Sequence, residues 1–168
     1  HRDQPSFPTP RSSDLGASEI NLTARIPGIR NGSTTNGGGT FTRLWGDGLG
    51  AGSIIGQPDL PILRRQVEIP FGADYTIKMT QANVTESSLA TLGLTAPILP
   101  LQPPDPKCDD LPAPFTKDET IYSKDTFFPY QPVAITGEYI QRGHRILIVE
   151  IWPMAYNPIT GGLLLYSQ

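Results

Sequence analysis

The chain contains a single cysteine, Cys108, and outside its first fifteen residues a single histidine, His144. Nucleophilic catalysis by cysteine requires a thiolate and a neighbouring imidazole that takes up the thiol proton. Cys108 is followed by Asp109 and Asp110, whose negative charges disfavour the thiolate. A single cysteine also cannot form an intrachain disulfide. We therefore interpret Cys108 as a non-catalytic thiol and expect that the chain is not an enzyme.

Other common kinds of reactive site are also poorly supported by the residues. A zinc site needs three or four closely spaced ligands, and the few cysteine and histidine residues cannot supply them. The glycine-rich stretches 37–39 and 46–52 lack the Lys-Ser/Thr pair and the helix start of a phosphate-binding loop. The formal net charge is −3, without a Lys/Arg cluster that could neutralise nucleic-acid phosphates. The sequence predicts no catalytic residue, no metal, no cofactor and no nucleic-acid partner.

The segment Ala96–Pro114 is the most unusual part of the chain. It holds seven prolines, at positions 97, 100, 103, 104, 106, 112 and 114. Each proline fixes φ and removes a backbone donor, so we expect an extended segment without a central strand or a helix. A structureless connection of about 19 residues inside a compact domain is usually functional or disordered. This long Pro-rich loop is therefore the candidate functional segment.

The rest of the chain shows mainly the alternation and the turn signals of β-strands. Residues 81–94 are compatible with either a strand or one helical turn. Strands are predicted at 19–26, 40–45, 62–70, 75–79, 133–140, 145–152 and 163–166, the one at 145–152 being buried on both faces. A flexible hairpin or loop is predicted at 31–39, and turns are predicted at 56–61, 142–143 and 156–162. The chain is therefore expected to be β-rich, with little or no helix.

The two ends of the sequence call for separate interpretations. Residues 1–15 have no periodicity and little apolar content, and Ser6–Leu15 resembles a translated sequencing adapter, so we interpret 1–15 as an artefact or a disordered tail. Residues 16–168 are expected to form a single domain that is truncated at its C-terminus. The apolar run at 146–149 is far too short to span a bilayer.

Two motifs, in order along the chain, resemble the prodomains of gingipain-type cysteine peptidases. The first is the Gly-x-Pro-x-Leu-Pro-Ile-Leu element beginning at Gly56, with Pro58, Leu60 and Pro61. The second is similar to the family's Phe-Phe-Pro … Arg-x-x-Arg … Tyr-Asn-Pro signature. Its residues are Phe127, Phe128, Pro129, Arg142, Arg145, Tyr156, Asn157 and Pro158. The chain departs from the family at Tyr130-Gln131, where Gly-Glu is usual.

This resemblance implies an antiparallel β-sandwich made as the N-terminal part of a secreted or cell-surface peptidase precursor. Its partner would be the downstream catalytic domain, whose active site it covers until cleavage, and whose folding it assists. In the family a basic residue upstream of Phe-Phe-Pro enters the specificity pocket, and the spacing assigns this position to Lys107. The expected inhibitory loop is therefore Pro106, Lys107 and Cys108, acting as a substrate mimic. Arg142 and Arg145 are expected either to orient a hairpin or to meet an acidic surface of the catalytic domain.

Two other functions are compatible with parts of the sequence. The stretch Pro106–Pro112 faintly resembles the cysteine switch of metallopeptidase prodomains, in which a thiolate caps a catalytic zinc. Those prodomains are helical, whereas this chain is predicted to be β-rich. A structural β-sandwich from a cell-surface adhesin is the second alternative, and it predicts a short hairpin in place of the Pro-rich loop.

Overall fold

The computed structural model describes residues 19–26, 28–80, 82–105 and 113–167. Within these residues the chain forms eight strands, a short 3-10 helix at Ala90–Leu92 and one single-turn helix, α1, at Glu119–Tyr122. The first four strands are β1 (Ile29–Asn36), β2 (Gly39–Gly46), β3 (Leu63–Ile69) and β4 (Asn83–Ser88). The last four are β5 (Val133–Gln141), β6 (His144–Ile151), β7 (Met154–Tyr156) and β8 (Gly162–Ser167).

The strands form one hairpin and two three-stranded sheets, and every strand pair is antiparallel. The hairpin is β1–β2, the second sheet has the order β3-β6-β5, and the third has the order β4-β8-β7. The predicted all-β antiparallel class with almost no helix is confirmed. Among the described residues, no helix combines the length and the apolar character that crossing a membrane would require.

Strand β6 occupies the centre of its sheet, as its continuous apolar sequence predicts. On one face Leu147 and Val149 are buried. On the other face the carboxylate of Glu150 is also buried, and its Oε1 accepts a hydrogen bond of 2.6 Å from Nε of Arg64 on β3. The middle of β6 is therefore covered on both faces.

The turn between β5 and β6 is formed by Arg142 and Gly143, both with positive φ, 50° and 83°. Two consecutive positive φ values are typical of the two-residue turns whose twist matches antiparallel strands. The turn predicted at these two residues is confirmed, and it places Arg142 at the exposed tip of the hairpin.

The main core lies between the third sheet and two loop segments. Tyr156, Leu60 and Ile98 are almost fully buried there. The other buried members of this cluster are Leu89, Met154 and Leu163. The core therefore joins the first family motif, the proline-rich segment and the last strands of the chain.

Two predicted strands are wrong. Residues 19–26 and 75–79 form no strand and belong to no sheet, and Ile20, Leu22 and Met79 are exposed. Both segments line a groove of about 1370 Å³ that is also lined by the inner face of the β3-β6-β5 sheet. Alternating apolar and polar residues make one side of an extended segment apolar. To join a sheet, the segment must also pair with the free edge of a strand in the correct register, and the alternation does not specify that edge.

Residues 31–39 were predicted as a flexible hairpin or loop, and the hairpin is confirmed, with 31–36 forming most of β1. Their backbone pairs with β2 from Ile29 opposite Gly46 to Asn36 opposite Gly39. Only Gly37 and Gly38, both with positive φ, make the turn. Because serine and threonine tolerate extended backbone, a polar sequence can form a strand whose outer face meets water. For residues 81–94 the sequence allowed either a strand or one helical turn. The structure has both, strand β4 followed by one 3-10 turn.

Candidate functional site

The first part of the proline-rich segment lies in the core. As the prolines predict, its described residues 96–105 and 113–114 contain no strand or helix, and only isolated bridges join Ile98 to Thr42 and Pro100 to Pro58. Ile98 is 0% exposed and the backbone of Leu99 bonds on both sides, donating to the Thr42 carbonyl at 2.8 Å and accepting from the Asp59 amide at 2.9 Å. Pro97 and Pro100 do not interrupt this arrangement, because at both positions only the carbonyl is used. Proline is tolerated in an extended core segment when no donor is needed from it.

The loop itself therefore starts near Leu101, and the described residues 98–105 and 113–122 are its two legs. We call these two legs the neck. The candidate inhibitory residues Pro106, Lys107 and Cys108 lie outside the described residues. The geometry that can be examined is thus the way in which the neck holds the two ends of residues 106–112.

The first link across the neck lies closest to the core. The Tyr122 hydroxyl, on α1 of the second leg, donates a hydrogen bond of 2.8 Å to the Ile98 carbonyl of the first leg. Burial raises the pKa of Tyr122 above its ordinary value, so the phenol remains a donor throughout the physiological range.

The second link is made by the backbone of Gly56, in the first family motif. Its amide donates to the Leu101 carbonyl at 2.8 Å, and its carbonyl accepts from the Asp118 amide at 2.9 Å. Gly56 has a φ of 88°, and a Cβ at this position would lie 3.0 Å from the Asp118 nitrogen. Only glycine satisfies both the conformation and the space at this position.

The third link is the side-chain amide of Gln102. Its Oε1 accepts from the Thr116 amide at 3.0 Å, while its Nε2 donates to the Thr116 carbonyl at 2.9 Å and to the Pro100 carbonyl at 2.8 Å. The side chain thus pairs with one residue of the opposite leg as a neighbouring strand would. Nothing in the sequence pattern identified this role, because a glutamine within a proline-rich stretch looks like an ordinary polar loop residue.

The fourth link is the one closest to the undescribed residues. The Ala113 amide donates to Oδ1 of Asp105 at 3.3 Å. The two residues that flank residues 106–112 are therefore in direct contact, and this segment leaves and re-enters the described structure at one place.

Helix α1 forms the last turn of the second leg and fixes its direction. The carboxylate of Asp118 caps the helix by accepting from the amides of Thr120 and Ile121 at 2.9 and 3.3 Å. Lys117 lies over the ring of Tyr122, 5.3 Å from its centroid. This cap was not recognised in the sequence, although Asp before a short apolar run is a typical signal.

The β1–β2 hairpin supports the second leg from the side. Phe41 of β2 stacks on Phe115 with ring centroids 5.4 Å apart. A Cβ added at Gly37, in the hairpin turn, would overlap the Phe115 ring. The glycine turn therefore permits close approach between the hairpin and the neck.

The two halves of the second family motif meet in space. Phe128 and Tyr156 exchange two backbone hydrogen bonds, both 2.8 Å, and the Phe128–Pro129 peptide bond is cis. Phe127 packs near Gly162 at the start of β8. These contacts join the segment that follows α1 to the end of β7.

Asn157 organises the turn that follows β7. It is 5% exposed, and its Nδ2 donates to Asp125 at 2.8 Å. Its Oδ1 accepts from the amide of Ile159 at 3.0 Å. Asparagine can stabilise such a turn because its side chain bonds to the backbone two residues ahead. Pro158 is partly buried within this turn.

Arg145 is the centre of a charged cluster at one end of the β3-β6-β5 sheet. Its guanidinium bonds both carboxylate oxygens of Glu138 on β5, at 2.6 and 3.1 Å, and donates to the Ala73 carbonyl at 2.8 Å. The Tyr75 hydroxyl also donates to Glu138, at 3.1 Å. The hydrogen bonds from Arg145 are the main reason why the pKa of Glu138 is lowered. Arg145 thus fastens residues 73–75 to the sheet, whereas Arg142 lies exposed at the hairpin tip.

The remaining titratable residues do not assemble into a reactive site within the described chain. His144 lies in β6 with its Nδ1 2.6 Å from Oε1 of Glu68. Among the described residues, no group of three or more histidine, cysteine or acidic side chains could hold a metal ion. The neck is therefore the candidate functional site within the described residues.

The sequence and the fold are similar to those of known peptidase prodomains. The Propeptide_C25 family model matches residues 11–168. The chain is 26% identical to Lys-gingipain of Porphyromonas gingivalis over 127 residues, which is 75% of this chain and 7% of that protein. It is also 26% identical to Gingipain R1 of the same organism over 113 residues, which is 67% of this chain and 11% of that protein. The chain thus spans a small part of the length of these relatives.

Two solved structures share the fold. One concerns the zymogenic latency of gingipain K from P. gingivalis, with a TM-score of 0.68, 25% identity and coverage of 83% of this chain and 76% of that chain. The other is the complex of the pro- and mature domains of RgpB from P. gingivalis, with a TM-score of 0.70, 21% identity and coverage of 85% of this chain and 72% of that chain.

The family match extends over nearly the whole chain, including Gly56–Leu63 and the second motif, and it agrees with the all-β fold. It begins inside residues 1–15, so the interpretation of that segment remains a prediction. The chain belongs to the Propeptide_C25 family and is a prodomain of the gingipain type.

Proposed function

We propose that this prodomain inhibits the cysteine peptidase of its own precursor by holding residues 106–112 in the active-site cleft as a substrate mimic. The partner is the catalytic domain that follows in the precursor, and the prodomain itself carries no catalytic residue. The ammonium group of Lys107 enters the specificity pocket and pairs with a carboxylate there. By the same relationship, the precursor is secreted or displayed at the cell surface.

The observation that carries this proposal is the neck. Four links join its two legs in succession, from Tyr122 and Ile98 in the core to Asp105 and Ala113 at the outer end. A segment whose ends are already fixed loses less conformational entropy when it binds. Such a neck serves no evident purpose in a purely structural domain, where a short hairpin would suffice.

The prolines contribute in a second way. Pro103, Pro104 and Pro106 precede Lys107, and Pro112 and Pro114 follow it. Each proline restricts the chain to extended backbone and lacks the amide that a peptidase cleft uses to align a substrate. The segment is therefore suited to occupying the active-site cleft, while few of its peptide bonds are aligned for cleavage.

Because the prodomain and the catalytic domain are covalently linked in the precursor, inhibition requires only a modest affinity between them. A linked domain experiences an effective concentration on the order of millimolar, so that a modest intrinsic affinity keeps the cleft occupied. Separation of the two domains after cleavage then releases the enzyme by dilution.

The test uses the full recombinant chain and mature Lys-gingipain, with the inhibition constant measured from cleavage of a lysyl reporter peptide. The unmodified chain is expected to inhibit, and Lys107→Ala is expected to weaken inhibition about a hundredfold or more, because a buried charge pair at a recognition site contributes several kcal/mol. Lys78→Ala, at an exposed lysine outside the neck, is the matched control and should leave inhibition unchanged. Equal inhibition by the Lys107→Ala chain would refute the assignment of Lys107.

A further variant separates this function from a cysteine switch. Cys108→Ser removes the thiol but retains Lys107 and the prolines. Under the proposed mechanism, the inhibition constant changes little. Loss of inhibition with Cys108→Ser but not with Lys107→Ala would instead assign the inhibition to the thiol.

A further inference from the structure

The turn of the β1–β2 hairpin brings together two groups of the chain that can react with each other. Asn36 is the last residue of β1, and it is followed directly by Gly37. The side-chain amide of asparagine has an electrophilic carbon, Cγ, and the backbone nitrogen of the next residue is its nearest nucleophile. A glycine at that position leaves the approach unhindered, because it has no side chain and a wide choice of backbone conformations.

The sequence contains a second Asn-Gly pair, Asn31-Gly32, which lies inside the hairpin ladder, with Gly32 opposite Arg43. Hydrogen-bonded and non-hydrogen-bonded pairs alternate along an antiparallel ladder, starting from the hydrogen-bonded pair that closes the turn at Asn36. Counting from that pair, the Gly32 amide donates to the opposite strand. The ring of Trp45 also covers this glycine, since a Cβ added there would lie 3.1 Å from the ring. The nitrogen of Gly32 is therefore held away from the side chain of Asn31.

Gly37 lacks both constraints. It lies in the turn, beyond the last pair of the ladder, and has a φ of 55°. Among the described residues its amide donates no backbone hydrogen bond. The ends of a ladder open at a lower free energy than its middle, so the nitrogen of Gly37 can approach Cγ of Asn36 without disrupting the hairpin.

We propose that Asn36 is a site of spontaneous deamidation, at which the folded chain modifies itself. The Gly37 nitrogen bonds to Cγ, the bond from Cγ to Nδ2 breaks, and the proton of the Gly37 amide leaves with Nδ2 as ammonia. One water then opens the resulting succinimide ring at either of its carbonyl carbons. The products are aspartate, with an ordinary main chain, and isoaspartate, whose main chain runs through Cβ and Cγ. The reaction consumes one water and releases one ammonia, and it does not depend on the proposed function.

Isoaspartate at position 36 alters the contact between the hairpin and the neck. It adds one methylene to the backbone beside a turn of only two residues. Gly37 lies so close to the Phe115 ring that even an added Cβ would overlap it, and Phe115 stacks on Phe41 of β2 with ring centroids 5.4 Å apart. The lengthened backbone cannot keep both the register of the ladder and this contact. We therefore expect the modified hairpin to support the second leg of the neck less firmly.

The test follows the full chain during incubation at mildly alkaline pH. Tandem mass spectrometry of its peptides measures the conversion of Asn31 and Asn36 separately, and methyl transfer by an isoaspartyl methyltransferase identifies isoaspartate. In the folded chain Asn36 is expected to react about tenfold or more faster than Asn31, because only at Asn36 can nitrogen and carbon reach attack distance with the ladder intact. In denaturant the two rates should agree within about twofold, because both asparagines are then followed by an unconstrained glycine.

Two variants connect the modification to the neck. Asn36→Gln slows ring formation, since the ring would need six members, and Asn31→Gln is the matched control. After prolonged incubation the unmodified chain and Asn31→Gln are expected to show a lowered thermal unfolding midpoint, whereas Asn36→Gln keeps its initial value. Asn36→Asp, which adds the charge but not the extra methylene, should start and remain close to the unmodified chain before incubation.

The outcomes are decisive for each step. Equal rates for the two asparagines in the folded chain, or a faster reaction of Asn31, would overturn the assignment of Asn36. If Asn36 is converted to isoaspartate and the unfolding midpoint stays constant, the effect on the neck is wrong. If Asn36→Gln fails to fold, the comparison of rates within the unmodified chain still decides the assignment, and the midpoint of its isolated isoaspartate form decides the effect.

Discussion

At the scale of single residues, Gly56 shows how the family motif links the two legs of the neck. Its amide and its carbonyl bond to Leu101 and Asp118, one residue on each leg of the neck. Both bonds come from the backbone, so the side-chain type matters only through conformation and space. Each is restrictive, since φ is 88° and an added Cβ would lie 3.0 Å from the Asp118 nitrogen.

We therefore predict that Gly56→Ala lowers the free energy of unfolding by about 2–4 kcal/mol, combining the cost of a positive φ with that of overpacking against a fixed backbone. Gly48→Ala is the matched control, because Gly48 also has a positive φ, 74°, but a Cβ there would meet nothing within 4 Å. The control should lose only about 1–2 kcal/mol. Chemical denaturation measures both values, and equal losses at the two positions would show that the contact with Asp118 does not restrict residue 56.

At the scale of secondary-structure elements, the Arg145 cluster explains how a segment that belongs to no sheet is kept in place. Residues 73–75 are held by hydrogen bonds from Arg145 to the Ala73 carbonyl and from Tyr75 to Glu138. Of the two roles considered for Arg145, orientation of local structure is the one for which the described residues supply contacts. A contact with the catalytic domain stays a prediction for Arg142, which lies exposed at the β5–β6 turn.

The cluster predicts a specific dependence of stability on pH. Because the folded-state pKa of Glu138 is lowered, chiefly by the hydrogen bonds from Arg145, its contribution to stability is fully present above the unfolded-state pKa and is lost as the pH falls through the folded-state value. The difference in unfolding midpoint between the unmodified chain and Glu138→Gln should therefore be largest near neutral pH and should shrink as the pH falls to about 3. Thermal unfolding over this range measures the difference, with Glu86→Gln on the exposed strand β4 as the control. A difference that stays constant with pH would show that the ionised carboxylate is not what stabilises the cluster.

The elements also show what could be predicted from the sequence and what could not. Strands β5, β6 and β8 and the turn at Arg142 were predictable, because apolar runs ending in turn residues specify both the conformation and its limits. The segments 19–26 and 75–79 were not, because alternation does not show which sheet edge is free. The candidate loop was found from its prolines, but the core position of its first part was not, because Leu99 is held there by hydrogen bonds with Thr42 and Asp59, which are distant in sequence.

The site was predictable to a smaller extent. Motif residues such as Gly56 and Asn157 were identified from the resemblance, but the contacts that give them their roles were not. The roles of Gln102, Phe115 and Tyr122 in the neck were not predicted. Each of these side chains contacts a residue at least fourteen positions away, namely Thr116, Phe41 and Ile98. Long-range pairing of single side chains leaves no periodic signal in one sequence.

At the scale of the whole molecule, the proposed mechanism divides the prodomain into a scaffold and a recognition residue, Lys107. The sequence is 26% identical both to Lys-gingipain and to Gingipain R1, so the scaffold resembles the two relatives to the same degree. Under the proposed mechanism, the residue at position 107 then determines which peptidase is inhibited. Under the same mechanism the neck would place that residue, and the sheets and the core would hold the neck.

This division predicts that Lys107→Arg changes selectivity and leaves stability unchanged. A guanidinium is longer and planar and binds a carboxylate through two donors, whereas an ammonium group acts as a compact point charge. The variant should therefore inhibit a peptidase that cleaves after arginine about tenfold or more better than the unmodified chain does, and should inhibit Lys-gingipain correspondingly less well. Inhibition constants for both enzymes, measured beside the unfolding midpoint, provide the test, with Lys78→Arg as the control. If Lys107→Arg leaves both constants unchanged, selectivity resides in the scaffold surface, and the separation between scaffold and recognition residue is wrong.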